Sequence, residues 1–218
     1  MDIIQAMEER HSVRQYKTDR IPEDIITRLN GEIDRINAES GLSVRLVLDE
    51  PTAFRSMMTR MTGFKNAVNY FAMIGPDDDS LYYKAGYYGE QLVLLAQQLG
   101  LNTCWAMLCG KKACRKDMND GMRMAIGIAV GYGETQGVPH KDRPVEQVAD
   151  LKDAPDWFIQ GVRCAMLAPT GMNKQAFRIE REGNKVRITG GSSSLAKIDL
   201  GIVRYHFETG AGDAFEWM

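Results

Sequence analysis

Two stretches of this chain carry residue types that could do chemistry: Arg10-His11-Ser12-Val13-Arg14-Gln15-Tyr16 and Ala168-Pro169-Thr170-Gly171-Met172-Asn173-Lys174-Gln175. In an extended segment, side chains at alternate positions point the same way. Arg10, Ser12 and Arg14 would then converge on one spot. Guanidinium forks and a hydroxyl suit a phosphate monoester; a solvated basic strand would use the same residues. In the second stretch, Pro169 and Gly171 break a helix and turn the chain. Asn173 and Gln175 each offer donors and acceptors, which suits the edge of a heteroaromatic ring. A turn stabilised by its own side chains is the plainer alternative. Together the two stretches point to a phosphorylated organic cofactor held at its phosphate end and its ring end. A third stretch, Gly100-Leu101-Asn102-Thr103-Cys104-Trp105-Ala106-Met107-Leu108, is an apolar strand whose following loop could present backbone N–H groups to such a cofactor, or simply core.

The elements that must position these stretches follow from periodicity. Ile3, Ile4 and Met7 share a face of a short helix over 2–9, and the chain then extends over 10–16. Pro22, Glu23 and Asp24 open a second helix with an apolar stripe from Ile25 to Ile36, and Gly41 is its stop. Residues 43–49 and 69–75 read as strands, and 53–61 as a weakly patterned helix. The clearest helix runs from Ser80 to Gly100. Leu101–Met107 and Met124–Val130 read as buried strands, the second ending in Gly131-Tyr132-Gly133. Residues 134–144 are a polar loop. A helix opens at Pro155-Asp156 and runs to about Leu167. Strands at 175–181 and 185–189 form a hairpin around Gly183-Asn184, and 199–208 reads as a short final helix. Helices and strands do not alternate as βαβ units, so the expected class is α+β, a mixed and mainly antiparallel sheet packed by helices, in a single domain over 1–218.

Composition sets the outer limits. The chain has 218 residues, is 44% hydrophobic and 26% charged, and carries a formal net charge of -2. That balance is ordinary for a globular protein and gives no electrostatic case for nucleic acid or an anionic membrane. No apolar run is long enough to span a bilayer. The opening Met1-Asp2-Ile3-Ile4 lacks a basic region before an apolar core, so no secretory leader and a cytoplasmic location are expected. Cys104, Cys109 and Cys114 are spaced five apart, unlike a zinc motif, and read with Cys164 as reduced thiols in or near a core. Cys104 or Cys109 could still lie near an active site.

In combination these pieces resemble the FMN-dependent nitroreductase family. Arg10-x-Ser12-x-Arg14-x-Tyr16 is similar to its phosphate motif. The helix over 80–100 followed by Gly-Leu-Asn-Thr-Cys-Trp is similar to its central helix and the strand behind it. Ala125–Tyr132 is similar to its next strand, and Ala168–Gln175 to its Ala-Pro-Ser-x-x-Asn-x-Gln motif, with Thr170 for the serine. The order departs from typical members: that last motif lies in the final quarter of the chain instead of the first third, as in a nitroreductase subgroup with this arrangement. Ala176-Phe177 also replaces the usual Pro-Trp.

The resemblance implies FMN as cofactor. Arg10, Ser12 and Arg14 would hold its phosphate or pyrimidine edge, with His11 contributing nearby. Asn173 and Gln175 would contact the isoalloxazine or ribityl chain. Trp105, Met107 and Leu108 match positions whose backbone meets the flavin near N5. Lys141 and Arg143 lie where late basic contacts to phosphate occur. The implied activity is NAD(P)H-dependent reduction of a small organic acceptor, such as a nitroaromatic or quinone, by ping-pong hydride transfer, with the chemistry on the flavin and no catalytic side chain or metal. A homodimer with FMN at the interface is also implied; Tyr82, Tyr83, Tyr87 and Tyr88 could serve that interface. The competing reading is a non-catalytic FMN carrier or sensor.

Overall fold

The computed structural model describes residues 1–107, 109 and 118–218, and within them every side chain but those of Met58 and Arg60. Asp2 caps α1 (Ile3–Glu9) by accepting from the Gln5 N–H at 2.8 Å. Pro22 precedes α2 (Glu23–Ser40), and Gly41 closes it in the left-handed region at φ 72°. There follow β1 (Arg45–Val47), α3 (Met57–Met61), β2 (Tyr70–Pro76), α4 (Leu81–Gln98), β3 (Asn102–Ala106) and β4 (Met122–Gly131). The remainder is α5 (Asp156–Met166), β5 (Phe177–Glu182), β6 (Lys185–Gly190), α6 (Ser194–Ala211) and β7 (Glu216–Trp217).

Four strands form an antiparallel sheet in the order β1-β2-β4-β3. Its two inner strands are covered on both faces: six residues of β2 and the last eight of β4 are buried, which is why both read as continuous apolar runs. The segment after α1 runs along the β3 edge. Ser12 bridges Thr103 in parallel, and the Val13 N–H donates to the Thr103 carbonyl at 3.0 Å. The phosphate-type motif is thereby laid beside the strand that carries Trp105. A second sheet, β5-β6-β7, has an antiparallel hairpin and a parallel β6–β7 pair.

Helices α4 and α6 lie against each other with almost no space between backbones. A Cβ at Gly86 would stand 2.0 Å from the Ile198 carbonyl oxygen, and one at Gly201 would stand 2.2 Å from that of Tyr83. Real Cβ atoms do not approach that closely, so both positions require glycine. This contact sets α6 over the sheet, where its first turn meets the second motif in the turn after α5: a Cβ at Gly171 would stand 2.6 Å from Leu195.

The expected α+β class and mainly antiparallel sheet are present. The final helix, however, is not short: it runs over Ser194–Ala211 and is capped by Ser193, whose side chain accepts from the Ala196 N–H at 3.2 Å. Gly201 in its interior is a packing contact and not a break. Helix α3 is confined to Met57–Met61, and β1 to Arg45–Val47. Strand β7 has two residues, too few to leave a period in the sequence. Among the described residues, no helix is long and apolar enough to cross a membrane, and no group of His, Cys, Asp and Glu is placed to hold a metal ion.

Candidate functional site

Two adjoining cavities open beside the β3 edge, of about 260 and 440 Å³. Their shared wall consists of Ser12, Arg14, Pro169, Thr170 and Met172, so both distant motifs meet within one chain. The smaller cavity is mostly apolar: Trp105, Ala106 and Met107 from β3 and its turn, Phe64, Ile126, and Leu195, Ile198 and Ile202 of α6. The larger is more polar, with Arg10, His11, His140, Asp142 and Asn173 in its wall.

Arg10 is almost wholly buried, with 6% of its surface exposed. Its Nε forms no hydrogen bond; the Glu90 carboxylate stands 3.8 Å away, at ion-pair distance only. Burial lowers the Arg10 pKa, and the Glu90 charge opposes that shift. Glu90 is itself fully buried and accepts from Trp105 Nε1 at 3.1 Å, and its other oxygen lies 2.9 Å from His206 Nε2. One carboxylate therefore touches a wall residue of each cavity. His140 Nε2 is the second orphan: buried, without a hydrogen bond, and 3.5 Å from an Asp142 oxygen. Burial lowers the pKa of both His11 and His140, and the Arg10 charge pushes the same way. Cys104 lines the apolar cavity, and burial raises its pKa against the pull of Arg14.

The second motif owes its shape to unusual backbone. Met172, Asn173 and Gln175 all have positive φ, at 54°, 52° and 45°. Asparagine tolerates that region; methionine and glutamine do not favour it. The Gln175 N–H donates to Thr170 Oγ1 at 2.9 Å, which steadies the turn. The buried Gln175 side chain accepts from the Arg143 N–H at 2.7 Å and donates to Asp142 and Asn173. Asn173 Nδ2 donates to the Lys141 carbonyl at 2.7 Å.

Of the residues singled out in the sequence, Arg10, His11, Ser12, Arg14, Trp105, Met107 and Asn173 line the paired cavities. Gln175, Lys141 and Arg143 do not. Gln175 acts one layer back, fixing the 141–143 loop through backbone and side-chain hydrogen bonds. Leu108 and Cys114 lie outside the described residues. The tyrosines of α4 are engaged within the chain. Tyr87 donates to Glu208 at 2.6 Å and packs edge-on against Tyr88 and Tyr205, and Tyr83 Oη accepts from Arg204 at 3.3 Å.

The sequence profile described as "Putative TM nitroreductase" matches residues 2–211. The chain belongs to this nitroreductase family. No functionally curated protein matches it. Among solved structures, a putative nitroreductase from Thermotoga maritima is 22% identical, with a TM-score of 0.69 over 95% of this chain and 82% of that one. An FMN-dependent nitroreductase from Clostridium difficile is 19% identical, with a TM-score of 0.51 over 68% of this chain and 95% of that one. A putative nitroreductase from Desulfovibrio desulfuricans, solved in complex with FMN, is 17% identical, with a TM-score of 0.54 over 67% and 94%. At these identities the solved structures establish the shared fold.

Three groups lining this nitroreductase-family site escaped the sequence reading. His140 and Asp142 stood in the polar loop over 134–144, where only Lys141 and Arg143 were singled out. Asp199 lies on α6, within the segment read as a short helix, and lines the apolar cavity. Its two oxygens accept from the Gly171 N–H at 3.0 and 3.1 Å. Burial pushes its pKa up to about 6, against the opposing pull of that N–H and of Lys174. A carboxylate recurring on the apolar face of a helix was the available signal.

Proposed function

We propose that this chain is an FMN-dependent oxidoreductase that uses NAD(P)H to reduce a small organic acceptor. One observation carries the reading: Arg10 and His140, each with a buried nitrogen that has no hydrogen bond, belong to the wall of a cavity that continues into an apolar one. Burying the Arg10 charge is costly, and a phosphate in the polar cavity would offset it. The third orphan among the described residues, Tyr16 Oη, lies in neither cavity and has no such account.

FMN fits this donor set. Arg10, His11 and His140 would meet its phosphate, Ser12 and Arg14 the junction between phosphate and ring, and Trp105 and Met107 the ring. When bound, FMN supplies two-electron transfer chemistry. The chain's part is to hold, orient and exclude water. Arg14 would place positive charge beside the ring, and the apolar walls would shield it. Donor and acceptor would use the same apolar space in turn, which gives ping-pong kinetics. Asn173 would contact the cofactor, and Gln175, Lys141 and Arg143 would support it indirectly. A homodimer and a cytoplasmic location belong to the same proposal.

The test is anaerobic mixing of FMN-loaded protein with NADH and with NADPH. Prompt bleaching of the flavin absorption, restored by a nitroaromatic or quinone, is the expected result. A flavin colour that persists with both nucleotides would sink the enzyme reading and leave a carrier or sensor.

A further inference from the structure

The apolar cavity has one acidic side chain in its wall, among the described residues, and that side chain is held in a fixed pose. Asp199 is half-buried on α6 between Ile198 and Ile202, whose side chains also face the cavity. A single donor, the Gly171 N–H, contacts both of its oxygens. A carboxylate has about four acceptor positions, so most of its capacity remains open. The surrounding walls are mostly apolar, which strengthens any polar contact made there.

We propose that Asp199 is the selecting group of this cavity. It takes planar aromatic ligands that present an N–H donor or a cationic nitrogen, and it refuses those that present a carboxylate. A flat ligand would lie against the α6 side chains, leaving the Trp105 wall to the flavin ring, with its nitrogen directed to the free lone pairs of Asp199. A carboxylate at that place would face a like charge in a low-dielectric setting, the costliest arrangement available. Charged and titratable groups facing the carboxyl are Arg14 and Cys104 across the cavity and Lys174 beyond the Gly171 turn. Arg14 also borders the polar cavity, where a phosphate would compete for it; Asp199 borders only the apolar one. Protonation of Asp199 removes its charge, so selectivity should fade in acid. The direction follows from burial, which holds this carboxyl protonated to higher pH than usual. This inference rests on the apolar cavity being a ligand site, as the proposed function has it.

The test is calorimetric titration of the protein, with and without saturating FMN, with benzamidine, benzamide and benzoate. At pH 7.5, benzamidine and benzamide should bind about tenfold or more tighter than benzoate, as one removed ion contact would give. Asp199→Asn retains an acceptor for the Gly171 N–H, and it should bring benzamidine and benzoate to within about twofold. In the unmutated protein the same contrast should shrink at pH 5, which tests the idea without a variant. Equal affinities at pH 7.5, no binding of any probe, or a preference that survives in Asp199→Asn or at pH 5 would each overturn it. FMN titration of the same preparation separates the two ideas. FMN binding without probe selectivity defeats only this inference, and probe selectivity without FMN binding defeats only the cofactor reading.

Discussion

Arg10 keeps a charged group almost wholly out of water with Nε unpaired, and Glu90 stands too far for a hydrogen bond. A buried polar group without a partner calls for an explanation, and for Arg10 the adjoining cavity offers one. The other side chains around the site make claims testable by stability. Asp199 has a folded-state pKa of about 6 against an ordinary 3.8. The native state therefore holds a proton that the unfolded chain releases between those values, and stability falls as pH rises through that window. Asp199→Asn removes the loss. It should melt higher than the unmutated protein above pH 6, by about 1 kcal/mol after discounting for solvent screening, and converge with it near pH 4. His11 and His140 act in the opposite sense. Their lowered pKa values mean the unfolded chain takes up protons first as pH falls below 6.5. His140→Gln should lessen the acid loss of stability in thermal melts between pH 6.5 and 5. Gln175→Ala strands the Arg143 N–H and frees the 141–143 loop. It should cost about 1–3 kcal/mol in urea unfolding and weaken FMN binding roughly tenfold.

At the scale of elements, the site depends on how closely α4 and α6 can approach. Gly86→Ala would drive a methyl into the Ile198 carbonyl. The expected cost is about 1–3 kcal/mol, read as a lower thermal midpoint, with FMN affinity reduced as the α6 wall shifts. Elements with a strong period were legible in the sequence. The α4 stripe and the unbroken apolar runs of β2 and β4 needed only burial to declare them. The hairpin around Gly183 was legible from its turn, where φ is 62°. Other features were not legible, because their cause is tertiary. Gly201 falls inside the expected helix, but nothing in the sequence says that the Tyr83 carbonyl packed against it demands a glycine. The left-handed run at Met172, Asn173 and Gln175 has no signature in methionine or glutamine. Arg10, Ser12 and Arg14 do reach one cavity as alternation implied, yet only the structure buries Arg10 and leaves Ser12 and Arg14 exposed. Gln175 was read as a ring contact because an amide side chain does not disclose whether it serves a ligand or a loop.

At the scale of the whole molecule, the late position of Ala168–Gln175 acquires a physical meaning. Helix α5 ends at Met166, and the turn returns the motif to the segment beside β3, so one chain brings both motifs to a shared wall. FMN affinity should then be the same at about 0.1 and 10 µM protein, whatever assembly light scattering finds, because association would change affinity by mass action only if a second copy completed the site. The most direct test of the central claim, that the two motifs form one FMN site, is titration of the protein with FMN followed by flavin fluorescence. Saturable quenching at one FMN per chain, abolished by Arg10→Ala with Arg14→Ala in a protein that still melts cooperatively, is the expected result. No quenching, or quenching unchanged in the double variant, would contradict it.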